Sequence, residues 1–379
     1  MAHIRKRGNT YTYTVDIGID PLTGKRNQIT KGGFKRKRDA EASARKLEIE
    51  PDENRFIKGS SEIFSSFVND WFTNHFQKRV KQTTAAAIQY IIQKHILREN
   101  PFAHKEISKI TTADIDAFYN LKLKEKCSTS YIRKMHQVLN QAFQQAVRWK
   151  MISVNPVTEA DTPLVRKAKI SIWSKENIQA FLDKCKDERH YMTFLLAIYT
   201  GMRKGEILGL SWNNIDFEKS LIQVNQSLAY IPKQGYVITT PKTNNSIRYV
   251  PIPKFIIDEL HVHRNKQKEW KELIADQYEN SDLVICTHTG AKQDPRNVNR
   301  VMKRIIKSAH VPDIPFHGIR HTHASILFSE GVDIVRTSLR LGHSNPKTTL
   351  GIYAHLLPNS DHDVADIFHN AMQDNKDKE

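Results

Sequence analysis

Reactive side chains between Phe316 and Pro358 fall at the ends of predicted short helices, and this pattern limits the fold more than any other. His317 and Arg320 are three residues apart, so they share one face if their segment is helical. The segment from Val332 to Leu341 is apolar at several positions, and Gly342 stands where a left-handed C-cap is expected. The pattern therefore predicts two consecutive helices, the second of which ends at Gly342.

A third helix is predicted after His343. Asn345 offers an N-cap, and Pro346 suits the first helical position. Tyr353 falls inside this helix, which ends at Pro358. Helix ends of this kind can converge on one point. An arginine, a histidine and a phenol together suit the task of holding a phosphodiester and attacking it with an oxygen nucleophile.

With these residues the chain resembles the tyrosine recombinases, also called phage-type integrases, which are carried by phages and by integrative conjugative elements or transposons. That family carries an early Arg, a Lys in a β-turn, a His-x-x-Arg, a further His or Trp and a nucleophilic Tyr. The matching residues, in the same order, are Arg203, Lys242, His317, Arg320, His343 and Tyr353. The resemblance is strongest over 171–358. One departure is Gly318, where the family usually has an acidic residue, and it predicts weaker support for the turn that carries His317.

The resemblance implies DNA cleavage by transesterification. Tyr353 would attack a phosphodiester and form a 3′-phosphotyrosyl link, which frees a 5′-hydroxyl and conserves the bond energy. No nucleotide is then needed, so no cofactor is expected. Arg203 and Arg320 would bind the non-bridging oxygens, a role that suits the planar and permanently charged guanidinium.

The resemblance also assigns three proton-handling or phosphate-binding roles. Lys242 would protonate the leaving 5′-oxygen from a predicted hairpin tip, the turn at 241–246. His317 would assist proton transfer from the phenol, and His343 would donate a hydrogen bond to the phosphate. His321 and His323 add further histidines, but no cysteine or carboxylate stands at ligand spacing, so packing roles are favoured over a metal site.

Two of these residues have plainer interpretations when each is taken alone. Arg203 is then a structural arginine paired with Glu206 or Asp216, and Lys242 is an ordinary solvated lysine. The nearby basic residues that compete with Lys242 are Lys233 and Arg248.

Charge and composition limit the partners. The chain has 58 Lys and Arg against 41 Asp and Glu, a net charge of +17. This favours a polyanion, most commonly nucleic acid, over an acidic lipid surface, because no basic helix with a bulky apolar face is evident. No secretory signal or membrane-spanning segment is predicted. The three cysteines are far apart and form neither a disulfide framework nor a metal motif, which indicates a reducing, cytoplasmic setting.

Residues 1–55 predict a small β-sheet module with one helix. Residues 11–17 alternate as a strand, a second strand covers about 27–31, a break follows at Gly32 and Gly33, and a helix covers 39–48. Up to Arg38 there are ten basic residues and two acidic ones. A solvated basic face is the plain interpretation, whereas the resemblance implies a module that binds arm-type DNA sites.

The remaining chain predicts two larger domains. After a linker at 51–61, four helices over 62–76, 84–96, about 113–123 and 129–150 indicate an all-α domain at 61–156, similar to the SAM-like core-binding domain of the family. A linker at 157–169 leads to a mixed α+β catalytic domain at 171–379. That domain is expected to be mainly helical with a small antiparallel sheet from strands at 221–228, 236–239 and 247–252.

The expected function is site-specific recombination of DNA in a bacterial cytoplasm, by which a mobile element is integrated and excised. Double-stranded DNA with core and arm attachment sites is the expected partner, bound by a homotetramer, with an excisionase or a host DNA-bending protein as a further partner. An apolar stripe in the tail at 359–379 is expected to dock on the neighbouring protomer. Two alternatives remain: a type IB topoisomerase, which reseals its own strand, and a DNA-binding regulator without catalysis.

Overall fold

The computed structural model describes residues 2–19, 26–49, 60–98, 100–165, 171–240, 247–342 and 350. The predictions for Lys242, His343, Tyr353 and the tail lie outside these residues. The chain divides into two compact units, Met1–Lys167 and Ala168–Glu379. No helix among the described residues is long and apolar enough to cross a membrane.

The N-terminal module is a three-stranded antiparallel sheet with one helix. The strands β1 (Ala2–Arg7), β2 (Thr10–Ile19) and β3 (Arg26–Phe34) pair in the order β1-β2-β3, and helix α1 (Lys37–Ile49) packs on β2. Its small core consists of Tyr13, Val15, Ala40 and Ala44. The sequence prediction missed β1, because basic residues occupy most of that strand.

The predicted strand break at Gly32 and Gly33 is wrong. Strand β3 continues to Phe34, which pairs with Tyr11 across a shift in register. Gly32 is needed for close approach rather than for a break, since a Cβ there would lie 2.8 Å from Thr12 Oγ1.

The second part of the first unit is all-helical, as predicted. Helix α2 (Phe64–Asp70) continues as a π-helical turn to Phe76, and α3 (Gln82–Ile91) continues in the same way to Leu97. Helices α4 (Thr112–Lys124) and α5 (Thr129–Arg148) complete the bundle. The inward face of α5 is buried at Ile132, Met135, Leu139, Ala142 and Phe143.

Two boundaries in this bundle differ from the sequence prediction. The helix predicted from about 113 begins at Thr112, because the Thr111 side chain caps it by accepting from the Asp114 N–H while Asp114 accepts from the Thr111 N–H. The expected linker starts later than 157, because Val157 is fully buried in the bundle core and the Asp161 N–H donates to Asp116.

The second unit is built around α7 (Tyr191–Thr200), a helix buried along most of its length. It packs against α6 (Lys175–Cys185), which Ser174 caps by accepting from the Asn177 N–H. The short helix α8 (Lys204–Leu208) follows α7 after a left-handed turn at Gly201, where φ is +64°. Most buried apolar side chains of this unit form one core, and Ala324, Phe328 and Leu341 form a small separate cluster.

Two small antiparallel sheets flank these helices. Strands β4 (Ile215–Asp216), β5 (Leu221–Val224) and β8 (Arg248–Pro251) form the first, and β6 (Ser227–Ile231) and β7 (Gly235–Thr239) form the second.

The single strand predicted over 221–228 is therefore wrong. The chain leaves the first sheet after Val224 and packs on α8, where a Cβ at Gly209 would lie 2.7 Å from the Leu228 N. The expected pairing of the strands on either side of 241–246 is wrong too, because β7 and β8 belong to different sheets, whereas Lys242 itself lies outside the described residues. The hairpin in this region is β6–β7, and Lys233 lies in its turn with φ of +69°.

Four helices complete the described part of the unit: α9 (Lys254–Ile274), α10 (Pro295–Ser308), α11 (Phe316–Ser329) and α12 (Ile334–Leu341). Asp294 caps α10, whose first residue is a proline, and Asp333 caps α12. Gly342 ends α12 in the left-handed conformation, with φ of +69°, as the sequence predicts.

Candidate active site

Arg203 stands at the N-terminus of α8, two residues after the turn at Gly201. Its Nη1 donates to Glu206 Oε1 at 2.8 Å, and its Nη2 donates to the Gly342 carbonyl at 3.2 Å. The pairing with Glu206 that the sequence left open is thus present, whereas Asp216 pairs with Lys219. The Arg203 side chain keeps 40% of its surface exposed, so the ion pair leaves the guanidinium accessible to a ligand.

Arg320 lies on α11 and is only 2% exposed. Its Nη1 donates to the Gly201 carbonyl at 2.8 Å, and its Nη2 donates to the Leu341 carbonyl at 2.6 Å. Arg203 and Arg320 therefore reach neighbouring carbonyls at the end of α12. The two arginines that the sequence predicts to act together lie in one place.

His317 lies one turn before Arg320 on the same helix and is exposed to solvent. Its ring centroid is 4.8 Å from that of His321. Partial desolvation and the charges of His321, Arg320 and Arg203 lower the pKa of His317 to about 4. The ring is therefore neutral at pH 7, with one nitrogen able to accept a proton.

Gly318 occupies a buried position beside His317. A Cβ at Gly318 would lie 2.9 Å from the Ile314 Cβ, closer than side chains normally approach. The acidic residue usual in the family would thus require Ile314 to move. The glycine at 318, where the family usually has an acidic residue, therefore fits the close packing of Ile314 in this chain.

Glu206 and Arg248 form a buried ion pair beneath Arg203. Arg248 Nη2 donates to Glu206 Oε2 at 2.8 Å and Nη1 donates to Oε1 at 3.2 Å. Burial would raise the pKa of Glu206, but the hydrogen bonds and charges of Arg248 and Arg203 lower it to about 2. From the sequence, Arg248 is evident only as a basic neighbour of Lys242. Strand alternation is the pattern that could have indicated its burial, because it places Arg248 and Val250 on the buried face of β8.

Three arginines hold three successive carbonyls at the C-terminal end of α12. Arg248 Nε donates to the carbonyl of Arg340 at 2.9 Å, Arg320 binds that of Leu341, and Arg203 binds that of Gly342. The C-terminal end of a helix carries partial negative charge, so it attracts cations. The chain continues from Gly342 directly to His343, the next predicted site residue.

His323 links α7 to the last turn of α12 through hydrogen bonds at both ring nitrogens. Its Nδ1 donates to the Ile198 carbonyl at 2.8 Å, and its Nε2 accepts from Arg340 Nε at 3.1 Å. Burial and the charge of Arg340 lower the pKa of His323 to about 4. His323 therefore has the packing role that the sequence favoured. Within the described ranges, no three His, Cys, Asp or Glu side chains are placed to hold a metal ion.

Known families match the chain in three segments. Residues 3–50 match an Arm DNA-binding domain, 63–123 match a phage integrase N-terminal SAM-like domain, and 173–360 match the Phage integrase family.

Curated relatives match almost the full length. The chain is 31% identical to a tyrosine recombinase XerC-like protein of Caldanaerobacter subterraneus subsp. tengcongensis, over 94% of this chain and 95% of that protein. It is also 31% identical to the ICEBs1 integrase of Bacillus subtilis (strain 168), over 94% of this chain and 96% of that protein.

Solved structures show the same fold. The Tn1549 transposon integrase in complex with a circular intermediate DNA aligns with a TM-score of 0.69 and 21% identity, over 82% of this chain and 100% of that one. A lambda integrase tetramer bound to a Holliday junction aligns with a TM-score of 0.56 and 19% identity, over 93% and 94%. The paired arginines, the predicted order of site residues and the full-length relatives lead to one conclusion: the chain belongs to the phage integrase family of tyrosine recombinases, enzymes that cleave and rejoin DNA strands at specific sites.

Proposed function

We propose that this recombinase is the integrase of a mobile element, and that Tyr353 is its nucleophile. The observation that carries the proposal is that Arg203 and Arg320 meet at the carbonyl end of α12, with His317 one turn before Arg320 on α11. That end leads directly into 343–358, the segment that holds His343 and Tyr353 in the sequence.

In the proposed reaction the Tyr353 oxygen attacks the scissile phosphorus and the bond from phosphorus to the 5′-oxygen breaks. The phenol proton passes to His317, and Lys242 gives a proton to the leaving 5′-oxygen. The products are a 3′-phosphotyrosyl link and a 5′-hydroxyl. A 5′-hydroxyl from the partner strand then attacks the link, which reverses these steps and completes the exchange.

The two arginines fit the role of phosphate ligands for different reasons. Arg203 has an accessible guanidinium that Glu206 holds in a fixed direction. Arg320 is buried, and the carbonyls of Gly201 and Leu341 hold its guanidinium in a fixed direction. Losing one such donor to a developing oxyanion typically costs roughly 100- to 1,000-fold in rate.

His317 suits the role of proton acceptor, and its basicity depends on whether DNA is bound. A phenol has a pKa near 10 and must lose its proton as it attacks. In the free protein the His317 pKa is about 4, so the ring is neutral. The negative charge of a bound phosphodiester raises a nearby histidine pKa, so the ring becomes a better base when DNA is present. His343 would donate a hydrogen bond to the same phosphate.

We further propose three functional domains, at 1–55, 61–156 and 171–379. The first would bind arm sites and the other two would bind the core site on double-stranded DNA, with four protomers on two duplexes. Separate apolar cores and the three matched families support this division. An excisionase or a host DNA-bending protein would set the direction of recombination in the bacterial cytoplasm.

The test uses full-length protein and a duplex with a nick near the crossover, which traps a covalent adduct. Wild-type protein is expected to form the adduct, and Tyr353→Phe is expected to bind DNA equally well without forming it. Tyr249→Phe is the matched control, because Tyr249 is 62% exposed on β8 and its loss should leave the adduct yield unchanged. An adduct formed by Tyr353→Phe at full yield would disprove the assignment.

The same material separates the competing functions. Absence of any wild-type adduct would favour a DNA-binding regulator. Adduct formation with strand transfer between two duplexes indicates a recombinase, whereas resealing of the original strand alone indicates a type IB topoisomerase.

A further inference from the structure

Arg248 joins the elements that carry the proposed phosphate ligands, although it is not itself one of them. It lies on β8, is 8% exposed, and donates from all three guanidinium nitrogens. Two of these bonds go to Glu206, which also accepts from the Arg203 backbone and side chain. The third goes to the carbonyl of Arg340 in the last turn of α12.

We propose that Arg248 is a positioning residue for DNA cleavage: it neutralises the carboxylate that holds Arg203 and fixes the end of α12. This inference rests on the proposed function, because it takes Arg203 as a ligand of the scissile phosphate. Arg248 would not touch DNA, since its donors are already used within the protein and it is buried.

The first effect of Arg248 is electrostatic. Arg203 and Glu206 together carry no net charge. With Arg248 included, the three side chains carry a net charge of +1. Without Arg248, the buried Glu206 carboxylate would have Arg203 as its remaining cationic partner among these contacts. The carboxylate charge would then be balanced by Arg203 alone among these contacts, and the phosphate would meet a neutral pair instead of a cation.

The second effect is geometric. Gly342 packs directly against Arg248, since a Cβ at Gly342 would lie 2.7 Å from Arg248 Nη1 and 3.0 Å from its Cδ. Together with the bond to the Arg340 carbonyl, this contact sets where α12 ends. A lysine could retain the charge, but a single ammonium cannot reproduce the planar fork that reaches both Glu206 and Arg340.

The experiment measures single-turnover cleavage of the nicked duplex by the full-length protein at saturating concentration, together with DNA affinity. Arg248→Gln is expected to slow cleavage by about 10- to 100-fold with little change in affinity, because it displaces a ligand without removing it. Arg248→Lys is expected to lie between this variant and the wild type. The double variant Arg248→Gln with Glu206→Gln is expected to recover the electrostatic part of the loss, because an uncharged residue at 206 needs no counter-charge, but not the part that comes from the end of α12.

Cleavage of a duplex with a methylphosphonate at the scissile position separates an electrostatic role of Arg248 from a structural one. A structural role alone would give the same defect on both substrates. The methyl group removes the negative charge of one non-bridging oxygen, so the defect of Arg248→Gln should shrink on this substrate. Wild-type rates for Arg248→Gln would overturn the proposal. The proposal would also be overturned if the double variant cleaved no faster than Arg248→Gln and Arg248→Gln slowed cleavage of the two substrates equally.

Two controls keep the interpretation clear. Adduct formation by the wild-type protein and its loss in Tyr353→Phe test the proposed function separately, so a failure there differs from a failure of the inference. Thermal unfolding reports whether each variant folds. If Arg248→Gln does not fold, Arg248→Lys decides: a roughly tenfold slower cleavage supports the proposal and an unchanged rate overturns it.

Discussion

Replacing Gly201 by alanine tests whether the turn before Arg203 is part of the active-site support. Gly201 has φ of +64°, and a Cβ there would lie 2.7 Å from His323 Cδ2 and 2.9 Å from Leu341 Cδ2. Gly235 is the matched control, because its φ is +77° and a Cβ there would meet nothing within 4 Å. Both alanines adopt a left-handed conformation, but only the one at 201 also collides with its neighbours.

The expected magnitudes follow from these two contributions. The left-handed conformation costs an alanine roughly 1 kcal/mol, which is the full effect expected for Gly235→Ala. Overpacking adds about 1–3 kcal/mol at Gly201, because His323 is fixed by two hydrogen bonds and Leu341 is fully buried. The free energy of unfolding should therefore fall by about 2–4 kcal/mol in Gly201→Ala. For a unit of this size, each kcal/mol lowers the melting temperature by about 2–4 °C.

Calorimetric unfolding of the full-length variants measures this difference, and single-turnover cleavage below the melting temperature measures its functional consequence. Because Arg320 Nη1 donates to the Gly201 carbonyl, a shift of the turn moves the guanidinium. Cleavage by Gly201→Ala should fall by about tenfold or more, and Gly235→Ala should cleave at the wild-type rate. Equal losses of stability in the two variants would refute the packing argument, and equal rates would refute the link to Arg320.

Three further outcomes are expected. Deleting residues 1–50 should leave cleavage of a short core site intact and abolish integration on a full-length substrate, and the twelve basic residues lost should also reduce the salt dependence of binding; unchanged integration would reject the arm-binding role. Truncation after Pro358 should abolish cooperative assembly on paired sites, whereas a large loss of thermal stability in the monomer would show that the tail docks on its own domain. Lowering the pH from 7 to 5 should reduce the free energy of unfolding by about 2 kcal/mol through His323, because its folded pKa is about 4 and the unfolded chain takes up the proton near 6.5. His323→Gln should remove this share of the pH dependence, and His288→Gln, at an exposed turn, should not.

The candidate site could be predicted in part because several of its signals are local. The caps at Ser174, Gly201 and Gly342 follow from residue chemistry at the end of one helix. The face shared by His317 and Arg320 follows from helical spacing alone. These features depend on a few neighbouring residues, which a single sequence displays.

Features that depend on distant partners could not be predicted. Glu206 and Arg248 are 42 residues apart, and nothing in either segment indicates that they form an ion pair. The assignment of β7 and β8 to different sheets likewise depends on the packing of β6 on α8 through Gly205 and Gly209. The expected pairing of the strands on either side of 241–246 failed for this reason, since two strands adjacent in sequence were assumed to pair.

The contacts of Arg203 and Arg320 also explain how their guanidinium groups are directed before a phosphate binds. Arg320 donates to carbonyls, whose partial charges satisfy the guanidinium without cancelling it. Arg203 is held by a full carboxylate, which would compete with a phosphate, but Arg248 shares that carboxylate. A phosphodiester that approaches both guanidinium groups thus meets donors whose direction is fixed before it binds. Preorganised charge of this kind needs no rearrangement as the pentavalent phosphorane forms, so its stabilising effect is greater than that of mobile surface cations.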